Sequence, residues 1–268
     1  MHNHFLRWAG SKRQLIPVLL KYWNHDYCRY VEPFAGSASL FFSLSPPRAL
    51  LGDINIELMA TYEQVKHKVE AVLLDLNTMK KGRRNYLRLR ALDPLTLTPS
   101  MRAARFIYLN RFCFNGLYRT NRDGQYNVPY GGDRSGRIPS NDLLVRCSSS
   151  LKRAELAVGS FEVTLEKVKS RDFVYMDPPF SIRAKRVFNE YDASMFGLED
   201  LYHLRKWMIR LDRKNVHFLV SYAESEEADL LRVGFHTEVV VVRRSIAGFT
   251  ERRKPARELL ISNQRPRT

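Results

Sequence analysis

Short apolar runs, each followed by a longer segment of helical periodicity, occupy both ends of the chain. These runs predict strands at residues 29–32, 156–158, 173–176, 216–221, 238–243 and 257–261, and another strand that ends at Asp53. The apolar spacing after Asp53 predicts one long helix. Strands that alternate with helices favour an α/β fold with a mainly parallel sheet.

The middle of the chain has a different pattern. Residues 78–93 and 99–113 are typical of basic helices, and residues 114–130 alternate around Asp123-Gly124, a strong hairpin signal. A Gly- and Arg-rich loop follows, with Ser140 or Asn141 as the cap of the next helix. We therefore predict an α/β domain from residues 1–62 and 151–268, with residues 63–150 inserted as a basic domain of helices and a β-hairpin.

Charge supports this division. The chain carries 44 Lys and Arg against 28 Asp and Glu, a net charge of +16. Residues 64–150 contain 16 basic and 6 acidic residues, so this third of the chain holds +10 of the excess. Such local enrichment indicates a polyanionic partner, most often nucleic acid.

Composition argues against several other classes of protein. Cys28, Cys113 and Cys147 lie far apart, and the seven histidines lack ligand spacing, so we expect a reducing cytosol and no metal. No apolar run approaches the ~20 residues of a membrane span. The first residues also lack the apolar segment of a secretory signal.

The stretch DFVYMDPPFSIRA, residues 172–184, runs a buried-strand pattern into two prolines. Because proline ends a strand, Asp177 is expected at a carboxyl end, where open α/β sheets bind ligands. The Asp177 carboxylate and the Pro178 carbonyl could accept both hydrogens of a nucleobase amine, and Phe180 could stack on a flipped base. The alternative is a strand-ending turn with a solvated acid.

A second candidate site follows the first strand, in VEPFAGSASLFF. Its small residues, around Gly36, would let a ligand approach the backbone closely. The loop is not a full G-x-G-x-x-G, which argues against a dinucleotide. Asp53 ends the next strand and could accept hydrogen bonds from ribose hydroxyls, which favours a nucleoside. The alternative for the loop is an ordinary strand-to-helix turn, and the alternative for Asp53 is an acid that caps the following helix.

Five segments in order, FLRWAGSKRQLIPVL, YVEPFAGSASLFF, GDINIELMATY, LNRFCFNGLYRTNRDGQYNVPYG and YMDPPF, resemble the Dam-type adenine-N6 DNA methyltransferases of the D12 class. The resemblance spans Phe5 to about Asn263. The cofactor motif precedes the catalytic motif with a basic insert between them, as in the alpha group. The implied fold is a Rossmann-like methyltransferase sheet with an inserted DNA-recognition domain.

The resemblance implies a role for individual residues. Those expected at S-adenosylmethionine are Trp8, Ala9, Gly10, Lys12, Phe34, Gly36, Ser37, Ala38, Asp53, Ile54, Ser160, Phe161 and Asp177. Those expected at the target base are Asp177, Pro178, Pro179 and Phe180. Those expected to contact DNA are Arg7, Phe114, Asn115, Leu117, Arg119, Asn121, Pro129, Arg134 and Arg137.

Some of these roles have alternatives, and some motifs depart from the family. Arg119 could contact a phosphate instead of a base, and Phe114 could be a buried hairpin aromatic. Gly10-Ser11-Lys12 replaces the usual GGK, Gly36-Ser37-Ala38 replaces a glycine-richer loop, and DPPF replaces DPPY. VSYAES stands where SN is common, and the sequence assigns no role to Tyr222.

The resemblance implies a monomeric, cytoplasmic enzyme of a bacterium or a phage-infected cell. It would flip an adenine from double-stranded DNA and methylate N6, at GATC or a related site, with a cognate restriction endonuclease as a conceivable partner. The alternatives are an amino-methyltransferase for RNA or protein glutamine, and a DNA-binding protein whose transferase has decayed. A comparison of methylation of duplex DNA with methylation of RNA would test the first alternative. A measurement of cofactor binding would test the second.

Overall fold

A seven-stranded sheet lies at the centre of the computed structural model, which describes residues 4–8, 10, 12–132, 136–179, 196–243 and 255–266. The predicted site residues Ala9, Arg134 and Phe180 fall outside these ranges. The strands are β1 Arg29–Glu32, β2 Ala49–Asp53, β3 Ala154–Val158, β4 Asp172–Met176, β5 His217–Ala223, β6 His236–Arg243 and β7 Pro255–Ser262. All seven predicted strands are thus confirmed.

The strand order is β3-β2-β1-β4-β5-β7-β6. The first five strands in this order run parallel, and β7 is antiparallel to both β5 and β6. The sheet is therefore mostly parallel, as the alternation of strands and helices predicted.

Neighbouring residues of each central strand enter different cores. Tyr30, Leu51 and Phe173 belong to one buried apolar cluster, whereas Val31 and Val174 belong to a second. This follows from strand geometry, because successive side chains point to opposite faces of a sheet. Both faces are covered by helices, which explains why these strands read as continuous apolar runs.

Ten α-helices lie within the described residues: α1 Ile16–Leu19, α2 Ser39–Leu44, α3 Ile56–His67, α4 Val69–Asn77, α5 Arg83–Ala91, α6 Pro99–Phe112, α7 Asn141–Leu151, α8 Phe161–Leu165, α9 Leu198–Arg213 and α10 Ala228–Arg232. Helices α3 to α7 pack into the first cluster and α8 to α10 into the second. The segment predicted as an insert therefore shares a core with β1 and β2, and its domain boundaries stay a prediction.

The prediction of one long helix after Asp53 was wrong. Lys68 leaves the helical conformation, with φ −137° and ψ 39°, and separates α3 from α4. Val65, Val69 and Val72 are all buried in the first cluster. Because apolar spacing continues across the break without Gly or Pro, packing of both helices on α6 and α7 determines it.

Residues 113–130, which we call the hairpin, reverse direction at Asp123-Gly124 as predicted. The Gly124 N–H donates to the Asn121 carbonyl at 3.0 Å, and Gly124 has φ +74°. The two sides pair antiparallel at Cys113–Tyr130 and Thr120–Tyr126. Pairing at these two isolated positions replaces the continuous strands of an ordinary β-hairpin.

The described residues also bear on membranes and metals. No helix there has the length and apolarity needed to cross a membrane. No group of three or more His, Cys, Asp or Glu side chains is arranged to hold a metal ion in the same part of the chain.

Candidate active site

The candidate site lies where the sheet changes its direction of growth. From β1 the chain adds β2 and β3 on one side, and then places β4 and β5 on the other. The loops after β1 and β4 consequently diverge and leave a crevice at the carboxyl ends of the strands. Gly36 and Asp53 border this crevice on one side and Asp177 on the other, because they follow or end β1, β2 and β4.

The loop after β1 has a tightly fixed glycine. The Gly36 N–H donates to Asp53 Oδ2 at 2.9 Å, and the Tyr62 hydroxyl donates to the Gly36 carbonyl at 2.6 Å. Gly36 has φ +47°, and a Cβ there would lie 2.9 Å from Cδ1 of Trp8. Any larger residue would displace the Trp8 indole, so the loop requires glycine at this position.

Asp53 is a fixed carboxylate with spare acceptor capacity. The Asn55 N–H donates to its Oδ1 at 2.9 Å, in addition to Gly36 on Oδ2. Burial raises the pKa of Asp53, and these backbone N–H groups oppose the rise. The carboxylate, with about four acceptor sites, retains capacity for a hydroxyl donor. Asn55, not Asp53, caps α3, since its side chain accepts the Leu58 N–H.

An apolar surface adjoins Asp53. The Ile54 side chain is 65% exposed, whereas Phe161 is buried and stacks on Phe34 with ring centroids 5.2 Å apart. The Gly159 N–H donates to the Asp53 carbonyl at 3.1 Å and thereby brings Ser160, which precedes α8, to the same edge. Fixed carboxylate oxygens beside an exposed apolar side chain suit a nucleoside.

Asp177 follows β4 and receives two donors on one oxygen. Lys12 Nζ lies 3.1 Å from Oδ1, and the Ser221 hydroxyl donates to the same oxygen at 3.0 Å. Ser221 is itself 2.9 Å from the Tyr175 hydroxyl. Pro178 is buried and Pro179 exposed, so the turn anchors the acid at the crevice.

Lys12 lies between two carboxylates. Its Nζ is 3.1 Å from Glu258 Oε2 as well as from Asp177. Burial would lower the pKa of Lys12, yet the two acids hold it above its ordinary value. Burial raises the pKa of Asp177 to about 6, against the lowering effect of Lys12. The carboxylate is therefore mostly ionised at neutral pH and close to its titration range.

Glu32 is a further acid beneath the crevice. It ends β1 and is buried, and the Tyr30 hydroxyl donates to its Oε2 at 2.9 Å. Burial raises its pKa well above the usual range, and the carboxylates of Asp177 and Asp53 add to this rise. Negative charge at Asp177 and Asp53 thus disfavours ionisation of Glu32.

Comparison with known proteins gives the family. The sequence profile for the D12 class of N6 adenine-specific DNA methyltransferases matches residues 8–246. The chain belongs to this family.

Several curated proteins resemble the chain over nearly its whole length. Type II methyltransferase M1.LlaDCHI of Lactococcus lactis subsp. cremoris is 33% identical, over 97% of this chain and 94% of the relative. Type II methyltransferase M.MjaIII of Methanocaldococcus jannaschii is 32% identical, over 97% and 98%. The DNA adenine methylase of Escherichia coli K12 is 30% identical, over 96% and 93%.

Other predicted cofactor residues of this D12-class methyltransferase support the loop. Ser37 and Ala38 are buried, and Ala38 adopts φ +49° directly before α2. They shape the turn without offering an open surface. Gly10 is exposed, with φ +81°, and a Cβ at this residue would have no atom within 4 Å. Its predicted contact with the cofactor stays a prediction.

The hairpin presents most of the predicted DNA contacts. Phe114, Asn115, Leu117, Arg119 and Pro129 are all exposed. Phe114 is 45% exposed, so the alternative of a buried hairpin aromatic was wrong. Arg119 Nε donates to Asn127 Oδ1 at 2.7 Å, which aims the guanidinium without choosing between a base and a phosphate.

The Asn121 side chain makes hydrogen bonds within the hairpin turn. Its side-chain Oδ1 accepts the N–H groups of Asp123, at 3.1 Å, and Gln125, at 2.8 Å. Its Nδ2 lies 3.1 Å from Gln125 Oε1. The predicted DNA contact of Asn121 stays a prediction, and the observed contacts show that it organises the hairpin turn.

Three arginines of the D12-class methyltransferase cluster below the hairpin. Arg7 Nη1 reaches the Arg111 carbonyl at 3.5 Å, and Arg111 Nε donates to the Arg137 carbonyl at 2.9 Å. Burial lowers the pKa of Arg111 to about 10, and the charges of Arg7 and Arg137 contribute to this lowering. Cations held this close together can bind an anion, and the predicted DNA contacts of Arg7 and Arg137 stay a prediction.

Several residues of the site were not predicted from the sequence. Ser221, Glu258 and Tyr175 contact Asp177 or its partners, and they come from separate strands. The segment VSYAES stands where SN is common in the family, and this position indicated that the segment belongs to the site. The sequence did not show that Ser221 is the residue that reaches Asp177. The structure buries Tyr222 in the second apolar cluster.

Proposed function

We propose that the chain transfers a methyl group from S-adenosylmethionine to N6 of an adenine in duplex DNA. The arrangement of Asp177 supports this most directly. Its Oδ1 is occupied by Lys12 and Ser221 at the crevice that Gly36 and Asp53 border from the other side. A carboxylate fixed in this way lies at the edge of the sheet where a nucleoside cofactor would bind.

The residues of the crevice fit S-adenosylmethionine. Asp53 offers acceptor lone pairs for ribose hydroxyls, and Ile54 offers an exposed apolar face for the adenine. Trp8 packs against Gly36, where a Cβ would lie 2.9 Å from its Cδ1, and this contact fixes the loop beside Asp53. When bound, S-adenosylmethionine supplies an electrophilic methyl group on a sulfonium.

Asp177 would prepare the amine. Because Lys12 and Ser221 fix Oδ1, we assign Oδ2 and the Pro178 carbonyl as acceptors for the two amino hydrogens of the target base. These bonds keep the nitrogen lone pair available for attack instead of delocalised into the ring. The cofactor would give up its methyl group to the amine nitrogen and leave as the neutral thioether, and Asp177, with a pKa of about 6, would take the proton that the nitrogen loses.

DNA would bind across the hairpin and the arginine cluster. Arg7, Arg111 and Arg137 suit a phosphate, because Arg111 is partly buried and two further guanidinium groups act on it. Leu117, Arg119 and Pro129 would read base pairs, and Phe114 with Asn115 would occupy space near the flipped adenine. Arg119 on a guanine would be a bidentate contact, with a phosphate as the alternative.

The target and setting follow the relatives. The DNA adenine methylase and the Type II methyltransferases support methylation of adenine at a recurring short site, which we propose is GATC or a related sequence. A restriction endonuclease partner, a monomeric state and a cytoplasmic location belong to the same proposal.

The first experiment is single-base methylation mapping of unmethylated genomic DNA after incubation with the protein and S-adenosylmethionine. We expect N6-methyladenine at one recurring motif. Asp177→Ala should lower the methylation rate by about 10²–10⁴-fold, the range for a positioned proton acceptor. DNA affinity should change little.

Asp229→Asn is the matched control, because Asp229 is an exposed acid on α10 that forms an ion pair with Arg232, one turn further along the same helix. It should leave methylation unchanged. Equal loss of DNA binding and methylation in Asp177→Ala would make this acid structural. If the protein binds the cofactor but produces no methylated adenine, the search turns to RNA or protein substrates. If it does not bind the cofactor either, the transferase has decayed.

A further inference from the structure

Trp8 touches both the cofactor loop and the hairpin. Its indole stacks on Tyr118 with ring centroids 6.1 Å apart and planes 16° apart. The same indole covers Gly36, the fixed glycine of the loop. One side chain therefore joins the predicted cofactor site to the predicted DNA-reading element.

The backbone beside Trp8 is fixed at the start of the hairpin. The Arg7 N–H donates to Asn110 Oδ1 at 2.7 Å, and Asn110 Nδ2 donates to the Arg7 carbonyl at 2.6 Å. Gly116 has φ +66°, and a Cβ there would lie 2.7 Å from Arg7 Cβ. Trp8 thus follows a residue that α6 holds in place and that packs closely against the hairpin.

Tyr118 sits between Leu117 and Arg119, the two exposed side chains expected to read DNA. Its ring contacts Phe106, at 5.7 Å between centroids, and Tyr126, at 5.6 Å. The hairpin borders an open cleft of about 800 Å³, whose lining includes Leu87, Arg90, Phe106, Leu117, Tyr118 and Tyr126. The hairpin therefore has space to move on this side, and Tyr118 would move with it.

We propose that Tyr118 is a positioning residue that couples DNA binding to cofactor binding through Trp8. DNA held by Leu117 and Arg119 fixes the Tyr118 ring, which keeps Trp8 on Gly36. Because coupling between two binding sites is reciprocal, bound cofactor strengthens DNA binding by the same factor. This inference rests on the proposed function and adds a named residue to it.

The test measures the affinity of the full-length protein for S-adenosylhomocysteine by calorimetry, with and without duplex DNA. We expect DNA to tighten binding by about tenfold, within the usual range for coupled sites. Tyr118→Phe keeps the ring and should keep this ratio. Tyr118→Leu should bring the ratio close to one, while affinity without DNA changes by less than about threefold.

Tyr130→Leu is the matched control, because the Tyr130 ring is also in the hairpin but contacts Tyr86, at 5.3 Å. It should keep the ratio of the parent protein. A parent-like ratio in Tyr118→Leu would overturn the proposal, as would equal losses with and without DNA. If Tyr118→Leu lowers the melting temperature, Tyr118→His supplies a planar ring, and loss of coupling in that folded variant would overturn the stacking role.

Failure of the proposed function gives a different result. In that case the parent protein would not bind S-adenosylhomocysteine at all, with or without DNA. Failure of the coupling alone would leave S-adenosylhomocysteine binding intact and independent of DNA.

Discussion

Asp177 experiences opposing charges at close range. Lys12 stabilises the ionised form, whereas burial and the nearby carboxylate of Glu258 favour the protonated form. The balance raises the pKa of Asp177 to about 6. Since the raised pKa belongs to the folded state, this group stabilises the fold most below its unfolded pKa, and that stabilisation is lost as pH rises through about 6. The fold therefore maintains the ionised acid at some cost in stability.

Substitutions of Lys12 and of Glu258 should move the acid limb of the pH–rate profile in opposite directions. Protonated Asp177 cannot accept both the amine and its donors, so the single-turnover rate should fall below about pH 6. Lys12→Met should raise the midpoint by about 1–3 units, because an adjacent opposite charge lowers a carboxyl pKa by that amount. Glu258→Gln should lower the midpoint, because it removes a negative charge.

The measurement is the pH dependence of the single-turnover rate at saturating cofactor and DNA. Asp229→Asn serves again as the control and should keep the parent midpoint. Midpoints that moved in the same direction for both variants would show that the two residues act on cofactor or DNA binding instead of on Asp177.

The position of a residue in the fold was predictable where a motif surrounds it. Asp53 ends a buried strand and Asp177 directly follows one, so their position follows from the local pattern. The partners of Asp177 did not follow, because Lys12, Ser221 and Glu258 come from distant segments. Only the strand order brings these side chains together, and one sequence does not contain that order.

Among the elements, the hairpin depends on one side chain more than its sequence suggests. Asn121 accepts two backbone N–H groups of the turn, from Asp123 and Gln125. Asn121→Ala removes this acceptor and should increase amide hydrogen exchange across residues 120–126 by about tenfold. A tenfold change corresponds to about 1.4 kcal/mol, which lies within the net value of about 0.5–1.5 kcal/mol for a hydrogen bond.

Asn121→Asp is the matched variant, because it keeps the Oδ1 acceptor and should keep the exchange rates near those of the parent. The overall melting temperature should stay constant in both variants, since Asn121 lies outside the buried clusters. Unchanged exchange in Asn121→Ala would show that the turn is held by the backbone alone, and a DNA contact would then be the better account of this residue.

At this scale the sequence predicted which elements exist better than where they end. Strands buried on both faces give continuous apolar runs, and Asp123-Gly124 indicates a reversal. The break at Lys68 had no local signal, because neither Gly nor Pro is present and both α3 and α4 carry buried residues on one side. Tertiary contacts determine such a boundary, so local propensity could not show it.

Over the whole molecule, the charge of +16 should make DNA binding strongly dependent on salt. Each phosphate contact contributes about 0.9 to the slope of log affinity against log salt. Arg111→Met and Arg137→Met should therefore each reduce the slope by about that amount, for every DNA sequence alike. Methionine retains apolar volume where Arg111 is partly buried.

Arg213→Met removes the same charge from the exposed end of α9, outside the arginine cluster, and should leave the slope unchanged. The measurement is a fluorescence anisotropy titration of duplex DNA at a series of salt concentrations. Equal slope changes in all three variants would mean that overall charge, and not a local phosphate site, governs affinity.

The ion pair between Lys12 and Glu258 joins the segment before α1 to β7, which comes late in the chain. During translation, a nascent chain thus carries Asp53 and Asp177 well before it carries Glu258, the second partner of Lys12. The candidate active site is completed only after the segment containing β7 has left the ribosome. Because β7 also pairs with both β5 and β6, chains that stop before it are expected not to methylate DNA.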